Sequence, residues 1–133
     1  MLEQAAGIGV RSRGQVRATT RTRSFMARVI EGAPVVVLEG ELDMASGDAF
    51  WQAIVPALER GGPVVVDLTN LRFMDSSGIH LLLRAAKRLD GTGCLFLHGV
   101  HEPVDRVLDL VGIAAVQNIH LMACDMDPSV ITS

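Results

Sequence analysis

The stretch Phe73-Met74-Asp75-Ser76-Ser77-Gly78 decides how this chain is read. It lies between two patterns of different period. Upstream, Val64-Val65-Val66-Asp67-Leu68 is a short β-branched run entered through Gly61-Gly62-Pro63, the composition of a strand covered on both faces. Downstream, Ile79, Leu82, Leu83, Ala86 and Leu89 recur at helical spacing and Gly91 supplies a stop. Asp75, Ser76 and Ser77 are all capping residue types, because a short side-chain oxygen can accept from the free N–H groups of a first turn. Strand, loop and capped helix in this order set small polar side chains at a positive helix end. That end favours a bound or attached anion such as phosphate.

Working outward, Cys94 to His98 reads as another strand, and Val104, Val107, Leu108 and Val111 as the apolar stripe of a helix that Pro103 can open. Gly112 is placed to end that helix, with Ile113 as its hydrophobic contact. Val116 to Met122 reads as a fifth strand. On the other side, Met26 to Ile30 and Val35 to Glu39 flank the turn Glu31-Gly32-Ala33-Pro34, an antiparallel pair. Ser46 is placed to cap the next helix, whose stripe is Phe50, Ala53, Ile54, Ala57 and Leu58. Pro56 removes a backbone donor and crowds the carbonyl of Gln52, so a kink is expected there. The repeating strand–helix order predicts a mixed, mainly parallel sheet of four to five strands packed against helices.

The chain has 133 residues, 49% hydrophobic and 20% charged, which suits one globular domain with a real core. We place that domain at 25–125, after a flexible basic extension at 1–24 that is rich in Arg, Ser, Thr and Gly and lacks apolar periodicity. A short tail, broken by Pro128, occupies 126–133. Met26 stands as an alternative start of translation. Residues 1–30 hold six arginines against Glu3, a net of +5, and the remainder holds six basic and fourteen acidic residues, a net of −8. An acidic folded part with 4% aromatics and no Tyr is a poor nucleic-acid binder, and direct nucleic-acid contact is not expected. Apolar runs fall short of a membrane span, no membrane partner is expected, and the N-terminus lacks the apolar core of a secretory leader. Cys94 and Cys124 have no disulfide or zinc spacing. A cytoplasmic location fits.

Catalysis finds little support. Ser76 is preceded at minus two by Met74, so the Gly-x-Ser-x-Gly elbow is missing. His80, His98, His101 and His120 belong to no motif, and no phosphate loop or dinucleotide fingerprint occurs. No catalytic residue and no metal site is assigned.

Four pieces in order, Gly40-Glu41-Leu42-Asp43, Val65-Val66-Asp67-Leu68, Phe73-Met74-Asp75-Ser76-Ser77-Gly78 and Val107-Leu108-Asp109-Leu110-Val111-Gly112, resemble the STAS family, in particular bacterial anti-sigma factor antagonists. They cover roughly residues 27 to 122. The resemblance implies a STAS-like α/β fold and phosphorylation of Ser76, the serine directly after the motif Asp, by a partner anti-sigma factor serine kinase. A serine phosphatase would reverse it, and the nucleotide belongs to the kinase, so this chain needs no cofactor. The resemblance also places Asp43 beside the phosphorylation site. We expect a partner-binding face of Asp43, Asp75, Ser77, Gly78 and Leu81. On a wheel of about 100° per residue, Leu81 falls opposite the apolar stripe, beside Ser77, Arg84 and Arg88; the alternative is packing under the upstream loop. Two further readings stay open: a STAS subunit of a stress-sensing or lipid-transport assembly, and an enzyme using Ser76 as nucleophile. The final amphipathic helix usual in the family is not legible in the tail.

Overall fold

The computed structural model describes residues 16–30 and 32–122. A six-stranded sheet runs in sequence order: β1 (Val16–Arg21), β2 (Phe25–Ile30), β3 (Val35–Leu42), β4 (Gly62–Met74), β5 (Gly93–His98) and β6 (Ile119–Leu121). The first three strands are antiparallel neighbours, and β3 to β6 are parallel. The parallel strands are joined through α1 (Gly47–Arg60), α2 (Ser76–Leu89) and α3 (Val104–Leu110). Because each crossover moves one strand further in the same direction, helices of one hand fall on one face. Phe50, Ile54, Leu82, Leu89 and Leu108 from the helices accordingly share a core with Ala27, Val36, Leu38, Val66, Leu68 and Leu97 from the strands. The opposite face carries a smaller cluster of Val35, Val65 and Met122 with Val37 and Phe96 at its margin. The two faces divide the run Val64-Val65-Val66 between them, which is why it contains no polar alternation.

The sheet is larger than expected. Val16–Arg21, inside the stretch read as a flexible extension, forms β1 along the edge of β2. Its Thr20 hydroxyl donates to the carbonyl of Ala49 at 2.5 Å, tying the strand to α1. Valine and threonine suit an edge strand, but a polar six-residue strand has too few apolar positions to show a period. Residues 1–15, and the tail with Cys124, lie outside the described residues, as do the expected domain end at 125 and the segment 126–133.

Both central strands outrun their sequence limits. β3 continues to Leu42 and β4 to Met74, pairing at Gly40↔Leu71 and Leu42↔Met74 across two register shifts. Gly40 has φ +94°, and a Cβ there would lie 2.1 Å from the carbonyl oxygen of Ser24. Only glycine allows the chain entering β2 to come that close. β6 is shorter than the Val116–Met122 run, reduced to Ile119–Leu121 by a turn ahead of it.

α1 runs unbroken through Pro56, which stands on its exposed side. α3 ends earlier than its stripe suggested. Val104 and Leu108 are buried, whereas Val111 is 52% exposed beyond the helix end. Gly112 adopts the left-handed conformation and Ile113 is buried, as their order predicts. Cys94 is half-buried in β5, and desolvation pushes its thiol pKa up.

Candidate functional site

The site grows from the paired ends of β3 and β4. Leu42 and Met74 are register partners, and the amide of Asp75 donates to the carbonyl of Leu42 at 3.4 Å. Each strand is therefore followed, at the same edge of the sheet, by an aspartate that caps a helical turn. Asp75 is extended and its Oδ1 accepts from the amides of Ser77 at 2.9 Å and Gly78 at 3.3 Å, opening α2. Asp43 is extended too, and its Oδ1 accepts from Ala45 at 3.0 Å and Ser46 at 3.3 Å, opening a 3-10 turn over Met44–Ser46.

This second cap corrects the sequence reading. Ser46 makes no side-chain cap bond to α1; its hydroxyl instead accepts from the Asp43 amide at 2.8 Å and donates to the Glu41 carbonyl at 2.9 Å. Asp43 and Ser46 close a reciprocal capping box. Ser46 is 1% exposed, so its hydroxyl is an internal strut that holds Asp43 in place.

Asp43, Met44, Gly47, Ser76, Ser77, His80 and Leu81 line one shallow cleft of about 460 Å³. The structure thus brings Asp43 to the Ser76 helix start. Ser76 is exposed in the first residue of α2, and its hydroxyl makes no hydrogen bond among the described residues. Ser77 is half-buried. The Ser77 and Gly78 amides are already occupied by Asp75. An anion on Ser76 would therefore meet the field of the helix start rather than those two N–H groups.

Two expected surface contacts lie inside. Gly78 is buried, and a Cβ there would sit 2.6 Å from Met74 Cγ and 2.7 Å from the Leu42 carbonyl oxygen. Its role is to let α2 meet the strand ends. Leu81 is 9% exposed, with its methyl carbons 3.8 Å and 3.9 Å from a Cβ position on Gly47. Leu83, placed in the core stripe by periodicity, is 36% exposed. The stripe is rotated because α2 packs against α1 as well as the sheet, burying Gly78, Leu81 and Ala85 and turning Leu83 outward. Sequence reasoning missed Met44, 83% exposed at the rim, and a lone methionine carries no pattern that would have marked it. His80 was missed as well, although its i+4 spacing from Ser76 is a signal that could have placed it in the cleft.

A mixed sheet with helices on one face, and an exposed serine after a capping aspartate at the ends of its central strands, define the class. The chain belongs to the STAS domain family, whose model described as "Mlab, STAS domain" matches residues 26–122, and within it to the anti-sigma factor antagonists. It is 34% identical to the anti-sigma F factor antagonist of Paenibacillus polymyxa over 67% of this chain and 79% of that one. It is 30% identical to an anti-sigma-B factor antagonist of Staphylococcus epidermidis over 64% and 81%. Solved structures agree in fold. An anti-sigma factor antagonist from Mycobacterium paratuberculosis superposes with a TM-score of 0.62 at 22% identity, covering 73% of this chain and 84% of the other. The antagonist SpoIIAA in its unphosphorylated form gives 0.56 at 23%, covering 75% and 89%. Among the described residues no helix is long and apolar enough to cross a membrane.

Proposed function

We propose that this chain is an anti-sigma factor antagonist switched by phosphorylation of Ser76. Unphosphorylated, it binds an anti-sigma factor serine kinase in the cytoplasm, and the sigma factor is released to direct transcription. In the bound complex the Ser76 hydroxyl oxygen attacks the γ-phosphorus of the kinase's ATP. The bond to the ADP oxygen breaks, and the hydroxyl proton passes to a base of the kinase. The observation that carries this reading is the Ser76 hydroxyl itself, exposed and without a hydrogen-bond partner among the described residues, held at the start of α2 by the Asp75 cap.

Phosphate adds about −1.5 to −2 charges. With Asp43 lining the same cleft and Asp75 adjacent in the chain, it concentrates negative charge where the partner docks. The amides of Ser77 and Gly78 stay bound to Asp75 in either state, so modification changes binding and leaves the fold in place. A serine phosphatase hydrolyses the ester and restores the binding form. Asp43, Asp75 and Ser77 form the polar part of the partner-facing surface, Met44 its exposed apolar part. Gly78 and Leu81 shape it from beneath.

The test uses the purified partner kinase and ATP, with the phosphate mapped by fragmentation. Ser76 is expected to carry it. Ser76→Ala should stay bound in ATP, and Ser76→Asp should bind at least about tenfold more weakly, some 1.4 kcal/mol. Modification of Ser77 alone, or equal affinity of both variants, overturns the assignment.

A further inference from the structure

Beyond the Ser76 cleft, α2 carries a second surface whose chemistry that reading does not use. Ser76, His80, Arg84 and Arg88 follow one another at intervals of four, an inclined row on the helix surface. His80 lines the Ser76 cleft and also a neighbouring one of about 650 Å³, formed with Trp51, Leu83, Arg84, Lys87 and Arg88. Trp51 of α1 is half-buried and forms its floor. The Arg84 guanidinium carbon stands 4.7 Å from the centre of the indole ring and that of Arg88 stands 6.0 Å away.

Arg28, Arg72 and Arg106 each have a carboxylate within 4 Å, on Glu39, Glu41 and Glu102. Arg84, Lys87 and Arg88 have none among the described residues, α2 contains no acidic residue, and no carboxylate lines the cleft. Arg60 likewise has no carboxylate partner among the described residues, but it stands alone, whereas on α2 three such cations gather within two turns. Lys87 and Arg88 lie in the last turn, where cations complement the helix dipole. That effect accounts for neither Arg84, a turn earlier, nor an indole shared by two guanidinium groups. A guanidinium stacked on an aromatic face keeps its N–H fork free for a carboxylate and has already given up side-chain freedom.

We infer that the Trp51–Arg84–Arg88 cleft is a docking site for an acidic segment of a partner protein, continuous through His80 with the Ser76 surface. Two arginine forks take carboxylates, Lys87 widens the cationic field, and the indole edge with Leu83 receives an apolar side chain between them. A nucleic acid fits less well, because three cations within two turns stand on a chain of net charge −3 and a phosphate track needs a longer basic stripe. A bilayer fits less well too, because Leu83, at 36%, is the one large aliphatic exposed in this cleft. The site stands on its own residues and does not depend on whether Ser76 is modified.

Trp51 is the sole tryptophan and there is no tyrosine, so the intrinsic fluorescence of the full chain reports on this cleft alone. The probe is a synthetic peptide of glutamates around a central leucine, titrated at low salt, with a lysine-substituted peptide, duplex DNA and phosphatidylserine vesicles as comparisons. The acidic peptide is expected to change Trp51 emission saturably. Its dissociation constant should rise by about tenfold or more in Arg84→Glu/Arg88→Glu and at about 0.5 M salt. Arg84→Gln/Arg88→Gln, which removes charge without reversing it, should fall between, and circular dichroism should show both variants folded. No saturable change, an equal response from the charge-reversed variant, or a stronger response to DNA or vesicles overturns the proposal. A failure here leaves the Ser76 assignment intact. Failure of the phosphate mapping leaves this cleft intact in turn.

Discussion

Gly78 and Leu81 show how closely chemistry and packing are interleaved at the site. The Cβ of an alanine at 78 would press on Met74 Cγ and the Leu42 carbonyl at 2.6 Å and 2.7 Å, one a side chain and the other immovable backbone. Gly78→Ala should therefore destabilise by about 1–3 kcal/mol, more than alanine's helix propensity returns, and a denaturant midpoint measures it. A midpoint at or above the parent's would show that α2 can shift outward. Leu81→Glu would bury a carboxylate against Gly47 with no partner among the described residues. A loss of about 3 kcal/mol or more is expected, seen as lower melting by circular dichroism rather than as a binding defect in a folded protein. Ser76, exposed two residues before Gly78 and with its hydroxyl unbonded among the described residues, is expected to tolerate substitution without loss of stability. The serine was legible from its neighbours in the chain. The glycine's burial depends on where β3 ends, and nothing within the motif states that.

At the scale of elements, β1 is the clearest departure from the sequence reading. Residues 16–21 have two apolar side chains among Arg and Thr, too little for periodicity to register. Their strand exists because β2 offers an unpaired edge and Thr20 reaches the Ala49 carbonyl. Deleting residues 1–24 removes those contacts and is expected to lower the melting temperature by about 5 °C or more. An unchanged melting temperature would show that β1 contributes nothing to stability. The helix caps follow the same logic. Asp75 was identifiable because the strand and helix periods bracket it. Asp43 was not identified as a cap, because Ser46 occupies an equally good capping position and only the 3-10 turn between them distinguishes the two.

For the molecule as a whole, the sheet is most strongly held at its centre. β3 and β4 are paired on both sides, and Val36, Leu38, Val65 and Val66 are fully buried. Their amides should exchange with solvent slowest, near the rate set by global unfolding, and those of β1 and β6 fastest. Hydrogen exchange followed by mass spectrometry tests this, and uniform protection across the six strands would contradict it. The sequence by itself determined the strand–helix order, the parallel centre, the antiparallel β2–β3 pair and the capped serine, because these depend on local periodicity, caps and turn residues. The tertiary structure alone decided which residue caps the turn after β3, which leucine of α2 faces inward and which cations meet over Trp51. Those outcomes depend on the register of β3 against β4 and on the packing of α2 against α1, relations between segments far apart in the chain that no local pattern encodes.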